Sequence, residues 1–189
     1  PAAYRPDSLP VAHPDQIKAA ARLLADARQP VILAGGGIKN SCGDAAAIAL
    51  AEVLNAPIIT SPGHGDAVPF SHPLNAGQMG PRGNVVASRL AKEADVILAL
   101  GTRLGFNSTF YSYDNINSAA KIIQVELEPT AIGRFFPVEI GIWGDAPETA
   151  RQLTEALAAI TDRATADAWC DTYRAERAAF LTARDADAI

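Results

Sequence analysis

Cysteine is scarce in this chain: Cys42 and Cys170 are the only two, and they stand far apart. Two thiols exclude a disulfide scaffold and a cysteine-rich zinc site, and they fit a reducing, cytoplasmic setting. Long apolar runs are missing as well. None approaches the ~20 residues a spanning helix needs, so no membrane partner is expected. Excess positive charge is absent: 16 Lys and Arg face 21 Asp and Glu, a formal net charge of −5. Nothing electrostatic therefore favours a nucleic-acid partner. The start, Pro1-Ala2-Ala3-Tyr4-Arg5-Pro6-Asp7, is not a signal peptide and has no initiator Met, which points to a processed product or an excised piece. What is present, 49% hydrophobic and 20% charged residues, is ordinary globular composition. A length of 189 residues fits one domain with a tail.

Residues 1–14 hold four prolines without apolar periodicity and read as an extended linker. Residues 15–28 carry a helical stripe, Ile17, Ala20, Ala21, Leu23 and Leu24, stopped by Pro30. Val31-Ile32-Leu33-Ala34 is wholly apolar and ends in Gly35-Gly36-Gly37, the look of a parallel strand buried on both faces. A helix over 41–54 follows, with Ser41 or Asp44 as its cap. The cycle then repeats. Strands are expected at 57–60, 95–100, 121–127 and 138–143, and helices at 84–94 and 146–160. A long loop rich in Gly, Pro and His separates the second strand from the helix at 84. This alternation predicts an α/β fold: a doubly wound, open parallel sheet, Rossmann-like, of about five or six strands with helices on both faces. The domain spans 15–160. Residues 161–189 read as a helical tail leading to a missing segment, with Trp169, Tyr173, Ala178 and Phe180 as its sticky face.

Ligands bind such sheets beyond the carboxyl ends of the strands. Gly35, Gly36 and Gly37, Thr60 and Ser61, Gly101, Thr102 and Arg103, Glu126 and Glu128, and Gly144 and Asp145 stand there. Glycine lets a ligand approach the backbone, and helix starts offer free N–H groups to an anion. The coincidence of several such ends predicts a nucleotide-shaped groove. The dinucleotide fingerprint G-x-G-x-x-G is broken, because Asn40 occupies the third glycine position and the second strand ends in Thr60-Ser61 rather than an acid. The acids come later, at Glu126, Glu128 and Asp145, where they could accept from ribose hydroxyls or an adenine amine; alternatively Glu128 caps the turn begun by Pro129. His64, Asp66 and His72 share one loop, but their spacing is not that of a zinc site. There is no G-x-S-x-G nucleophile and no Walker motif. No catalytic residue and no metal ligand is assigned.

Four segments together carry a resemblance. They are Arg28 to Gly37, Gly77-Gln78-Met79-Gly80-Pro81-Arg82-Gly83, Ala94 to Arg103, and Ala120 to Pro129 with Ile132-Gly133; Gly144-Asp145-Ala146 closes the pattern. In this order they resemble the central domain of thiamine-diphosphate-dependent enzymes, the acetolactate synthase and pyruvate oxidase superfamily. The resemblance adds Arg82 to the cofactor-binding candidates. It implies a three-domain subunit in which thiamine diphosphate and its magnesium sit between the outer two domains, across a subunit interface. The cofactor-activating Glu belongs to the first domain and a Gly-Asp-Gly metal motif to the third. Gly63-His64-Gly65-Asp66 is not that motif. The chain is therefore expected to be a middle domain without its N- and C-terminal partner domains, inactive alone, from a homo-oligomeric enzyme.

Within the superfamily the segments Gly63-His64, Asp66, Ser71 to Leu74, Ala76-Gly77, Leu98 to Leu104, Ser108-Thr109 and Ile122 to Val125 are similar to the sulfoacetaldehyde acetyltransferases. The implied parent reaction converts sulfoacetaldehyde and phosphate to acetyl phosphate and sulfite. Gly65, Phe106 and Glu126 depart from that pattern. The alternative is an acetolactate synthase-like carboligase, whose Asp-Arg pair for flavin and substrate is replaced here by the stretch Leu104-Gly105-Phe106-Asn107. A lost guanidinium removes a charge-assisted bond, so the groove is left open to FAD, ADP or neither. A stand-alone adenine-nucleotide-binding module is the remaining reading.

Overall fold

Two apolar runs meet at the centre of the sheet. The computed structural model of the chain describes residues 8–80, 82–105 and 112–187. Among these, β1 (Pro30–Ala34), β2 (Ile58–Thr60), β3 (Asn75–Gln78), β4 (Val96–Leu100), β5 (Lys121–Glu126) and β6 (Ile140–Trp143) form one six-stranded sheet. The order is β3-β2-β1-β4-β5-β6, and every neighbouring pair is parallel. β1 and β4 run in register from Pro30 opposite Val96 to Ala34 opposite Leu100. Every residue of both strands is buried, as a sheet covered on two faces requires. The described helices are α1 (Pro14–Ala25), α2 (Gly36–Asn40), α3 (Asp44–Leu54), α4 (Val85–Glu93), α5 (Ala146–Ala158) and α6 (Asp167–Asp187). α5 packs against α1 and α3, whereas α4 packs against β2, β3 and α6. The doubly wound α/β fold is thus present. Its strand order reverses between β1 and β4, which opens a crevice at their carboxyl ends.

Local chemistry moves several element boundaries. α1 starts with the His13 side chain accepting the Asp15 N–H and Pro14 in the first turn. It ends at Ala25, before the expected Arg28, because the Asp95 carboxylate takes the Arg28 and Gln29 N–H groups at 2.8 and 2.9 Å. Those two bonds turn the chain into β1. The expected helix over 41–54 divides in two. α3 begins at Asp44 behind Gly43, whose added Cβ would lie 2.4 Å from Pro147 Cγ. Neither Ser41 nor Asp44 is its cap; Gly43 is. The preceding Cys42 adopts φ 51°.

β3 replaces part of the expected loop. Asn75-Ala76-Gly77-Gln78 has no β-branched or aromatic residue and thus no strand signal. Its pairing with β2 carries a register shift between Ile58 and Ile59. Buried Asn75 supports it by donating to Val68 O at 2.8 Å and accepting from Gly77 N–H at 2.7 Å. β6 starts at Ile140 rather than 138, and α5 ends at Ala158 rather than 160.

Both flanking segments touch the body. Pro10 O accepts the Asp145 N–H at 2.9 Å, and Ala12 is buried. On α6, Trp169, Cys170 and Tyr173 are buried. The Trp169 indole N–H donates to Pro30 O at 3.1 Å and the Tyr173 hydroxyl to Pro73 O at 2.8 Å. Ala178 is exposed. Arg177 takes the inward place instead, over the Phe70 ring and donating to Phe70 O and Asn75 O.

Candidate functional site

The ends of β1 and β4 are joined backbone to backbone. Gly35 N–H donates to Leu100 O at 3.0 Å, Gly37 N–H to Gly101 O at 2.9 Å, and Gly101 N–H to Val125 O at 2.9 Å. Gly101 sits at φ 59°, and a Cβ on it would lie 2.5 Å from Gly37 Cα. Glycine is needed on both counts. Above this seam opens a cavity of about 670 Å³, within the range of small-molecule sites.

Three side-chain groups shape the cavity. Arg103 and Glu128 line it together. Arg103 makes no hydrogen bond or ion pair with the described residues. Glu128 accepts the Thr130 hydroxyl at 2.8 Å and the Thr130 N–H at 3.2 Å. These bonds, with the nearby Arg103 charge, hold its carboxyl below the usual range. Glu128 therefore does cap the turn Pro129–Ala131 while also facing the cavity. Glu126 accepts its neighbour's Leu127 N–H at 3.0 Å. The third group is Ser61 with His64, whose Oγ and Nδ1 are 3.0 Å apart. The imidazole lies against Gly36, so close that a Cβ there would meet Nε2 at 2.8 Å. Just beyond Arg103, buried Leu104 is held at φ 53°.

Of the residues singled out from sequence, Gly36, Gly37, Ser61, Gly101, Thr102, Arg103, Glu126 and Glu128 line this one cavity. Gly35 lies beneath it in the seam, and Thr60 is buried at the end of β2. Arg82 is exposed beyond β3, outside the lining. Gly144 and Asp145 also stand outside the lining. The Asp145 carboxylate accepts the Glu148 N–H at 3.0 Å and caps α5, and Gly144 packs against Ala12 and Thr149. Asn40, Ser41, Pro62, His64, Gly105 and Leu127 join the lining without having been assigned to it. For His64 the available signal was a Ser-Pro-Gly-His turn directly after β2. Phe106, Asn107, Ser108 and Thr109 lie outside the described residues, as does Pro81.

Among the described residues no group of three or more His, Cys, Asp or Glu side chains could hold a metal ion. His72 turns away from His64 to Glu52, at 3.4 Å. No step of thiamine chemistry is assigned to the described residues. No described helix is long and apolar enough to cross a membrane.

The pattern of the thiamine pyrophosphate enzyme central domain matches residues 17–153. The chain belongs to this family. The matched span runs from α1 into α5 and takes in all six strands and the cavity. The sulfoacetaldehyde acetyltransferase of Castellaniella defragrans is 39% identical over 88% of the chain and 27% of its own length. That of Rhodobacter capsulatus is 44% identical over 85% of the chain and 26% of its own length. A probable acetolactate synthase large subunit of Methanocaldococcus jannaschii is 37% identical over 83% of the chain and 26% of its own length. This central domain thus spans about a quarter of the length of the curated relatives it matches.

Proposed function

We propose that this central domain serves a larger thiamine-diphosphate-dependent enzyme of the sulfoacetaldehyde acetyltransferase type. In that reaction the carbon–sulfur bond of sulfoacetaldehyde breaks, sulfite leaves, and the acetyl group passes to phosphate. The observation that carries the reading is the identity gap between two groups of relatives. Sulfoacetaldehyde acetyltransferases match at 39–45%, whereas acetolactate synthases match at 33–37%. Thiamine diphosphate and magnesium belong, on this reading, to N- and C-terminal domains of the same polypeptide. The whole assembles as a cytoplasmic homo-oligomer.

The role of this domain is to hold an adenine nucleotide, ADP or FAD, in the cavity at the β1–β4 switch point. Arg103 supplies a cation for phosphate, Glu126 and Glu128 supply acceptors for ribose hydroxyls, and Gly36, Gly37 and Gly101 leave the backbone bare. The test is the full reading frame, expressed and supplied with thiamine diphosphate, magnesium, sulfoacetaldehyde and phosphate. Sulfite and acetyl phosphate are the expected products. Carbon dioxide released from pyruvate would favour the acetolactate synthase reading instead. A reading frame ending near Ile189 would overturn both. Calorimetric titration with ADP and with FAD tests the groove, and no heat with either would leave it a structural spacer.

A further inference from the structure

We propose that His64 is the proton-linked anion contact of this cavity: its imidazolium, with Arg103 of the same lining, binds the diphosphate of the adenine nucleotide. The inference rests on the nucleotide reading above.

The ring is held in place before any ligand arrives. Ser61 N–H donates to Ala34 O at 3.0 Å, His64 N–H to Ser61 O at 3.0 Å, and Ala67 N–H to His64 O at 2.9 Å. The Gln78 side chain accepts the Gly63 N–H at 3.3 Å. This turn fixes the His64 backbone directly after β2. Buried Ser61 then fixes the ring through Nδ1. Glycine at 36 makes room for the other edge, so Nε2 lies over the backbone where α2 begins. Both His64 and Gly36 line the cavity, and Nε2 has no hydrogen-bond partner among the described residues.

Serine is the partner that allows the ring to change charge. Its hydroxyl can donate to a neutral Nδ1 or accept from a protonated one. Protonation therefore keeps the Ser61 bond and leaves an Nε2–H free to donate to a phosphate oxygen. The charged groups around the ring are accounted for. Asp66, on the same loop, is paired with Lys39 of α2 at 2.8 Å. Arg103 follows β4, and Glu126 and Glu128 follow β5. Asp66 is occupied by Lys39, and Glu128 by Thr130. A diphosphate would thus find two nitrogen groups in the lining, Arg103 and His64 Nε2, that make no hydrogen bond with the described residues. Bound there, it favours the protonated ring, so binding takes up a proton.

The experiment is calorimetric titration of the 189-residue chain with ADP at pH 6 and pH 8, in wild type, His64→Gln and Arg103→Gln. His64→Gln keeps a neutral donor and removes the titration. It should weaken ADP by about tenfold at pH 6 and by no more than about threefold at pH 8. Arg103→Gln should weaken ADP by a similar factor at both values. Titrations in two buffers of different ionisation enthalpy should show wild type taking up more protons than His64→Gln, a difference from which ADP's own titration cancels. His64→Asn repeats the test, and thermal melting confirms that each variant is folded. Equal weakening at both pH values, or unchanged affinity in His64→Gln, overturns the role of His64 and leaves the groove intact. No ADP binding by wild type overturns the nucleotide reading and this inference together.

Discussion

Replacing Gly101 with Ala should unlock the seam on which the groove is built. Two separate penalties act there. The first is conformational: at φ 59° a Cβ costs roughly 1–2 kcal/mol. The second is steric: the new methyl would stand 2.5 Å from Gly37 Cα and 2.9 Å from Gly37 N, both backbone atoms. Forcing packed backbone apart costs roughly 1–3 kcal/mol. Gly101→Ala should therefore lose about 2–5 kcal/mol, a large part of the roughly 5–15 kcal/mol that holds a domain folded. Two controls separate the terms. Gly133 has φ +72° and open space around its would-be Cβ, so Gly133→Ala should cost only the conformational part, about 1–2 kcal/mol. Gly37 has no positive φ, but its Cβ would lie 2.6 Å from Gly101 Cα, so Gly37→Ala should cost only the steric part, about 1–3 kcal/mol. The double variant at 37 and 101 should cost less than the sum, since one separation of the seam relieves both contacts. Urea unfolding of the four variants measures this. A Gly101→Ala loss no greater than that of Gly133→Ala would refute the reasoning.

The other predictions concern stability away from the groove. Burial pushes the Tyr173 phenol and the Cys170 thiol above their ordinary ranges. The folded chain then keeps protons that the unfolded chain releases, so stability falls as pH rises past about 8.5 for the thiol and about 10 for the phenol. The slope should reach up to ~1.4 kcal/mol per pH unit for each group. Tyr173→Phe should flatten the upper part of the curve, and unchanged slopes in denaturant titrations from pH 8 to 11 would count against it. At neutral pH the same variant should lose about 1 kcal/mol with the hydroxyl bond to Pro73 O. Asp95→Ala removes the acceptor of the Arg28 and Gln29 N–H groups, and should lower the urea midpoint by the equivalent of about 1–3 kcal/mol. Asn84→Ala removes the cap of α4, which accepts the Ala87 N–H at 2.8 Å, and should cost about 1 kcal/mol.

The parts of the fold that sequence reveals are those whose burial is uniform. Val31 to Ala34 and Val96 to Leu100 read as strands because both faces are covered, and the structure pairs them at the sheet centre. The helix expected over 84–94 is present as α4, with the Asn84 side chain as its cap. β3 was invisible because its strand character comes from neighbours: an edge position beside β2 and the Asn75 amide bonds. Glycines at the ends of β1 and β4 could be placed at one sheet edge from topology alone. Asp145 shows the limit. An acid after Gly144 at a strand end has the pattern of a ligand contact, yet its carboxylate accepts the Glu148 N–H and its own N–H donates to Pro10 O. The side chain is spent on a local helix cap, Asp-Ala-Pro-Glu, and the backbone N–H on a distant segment.

The broken fingerprint and the observed cavity have one explanation. The third glycine of the dinucleotide motif serves close packing of a long helix on its strand. Here α2 ends at Asn40, and the chain turns through Cys42 before α3 begins. No long helix leaves β1, so position 40 is free to carry a side chain, and Asn40 lines the cavity. The acid expected after β2 is likewise displaced: β2 ends in Thr60-Ser61, and Ser61 is committed to His64. The acids that line the cavity are Glu126 and Glu128 behind β5. Arg103 behind β4 and His64 behind β2 stand on the two sides of the switch point. The same departures that exclude the usual dinucleotide site therefore leave this cavity with a polar lining of its own.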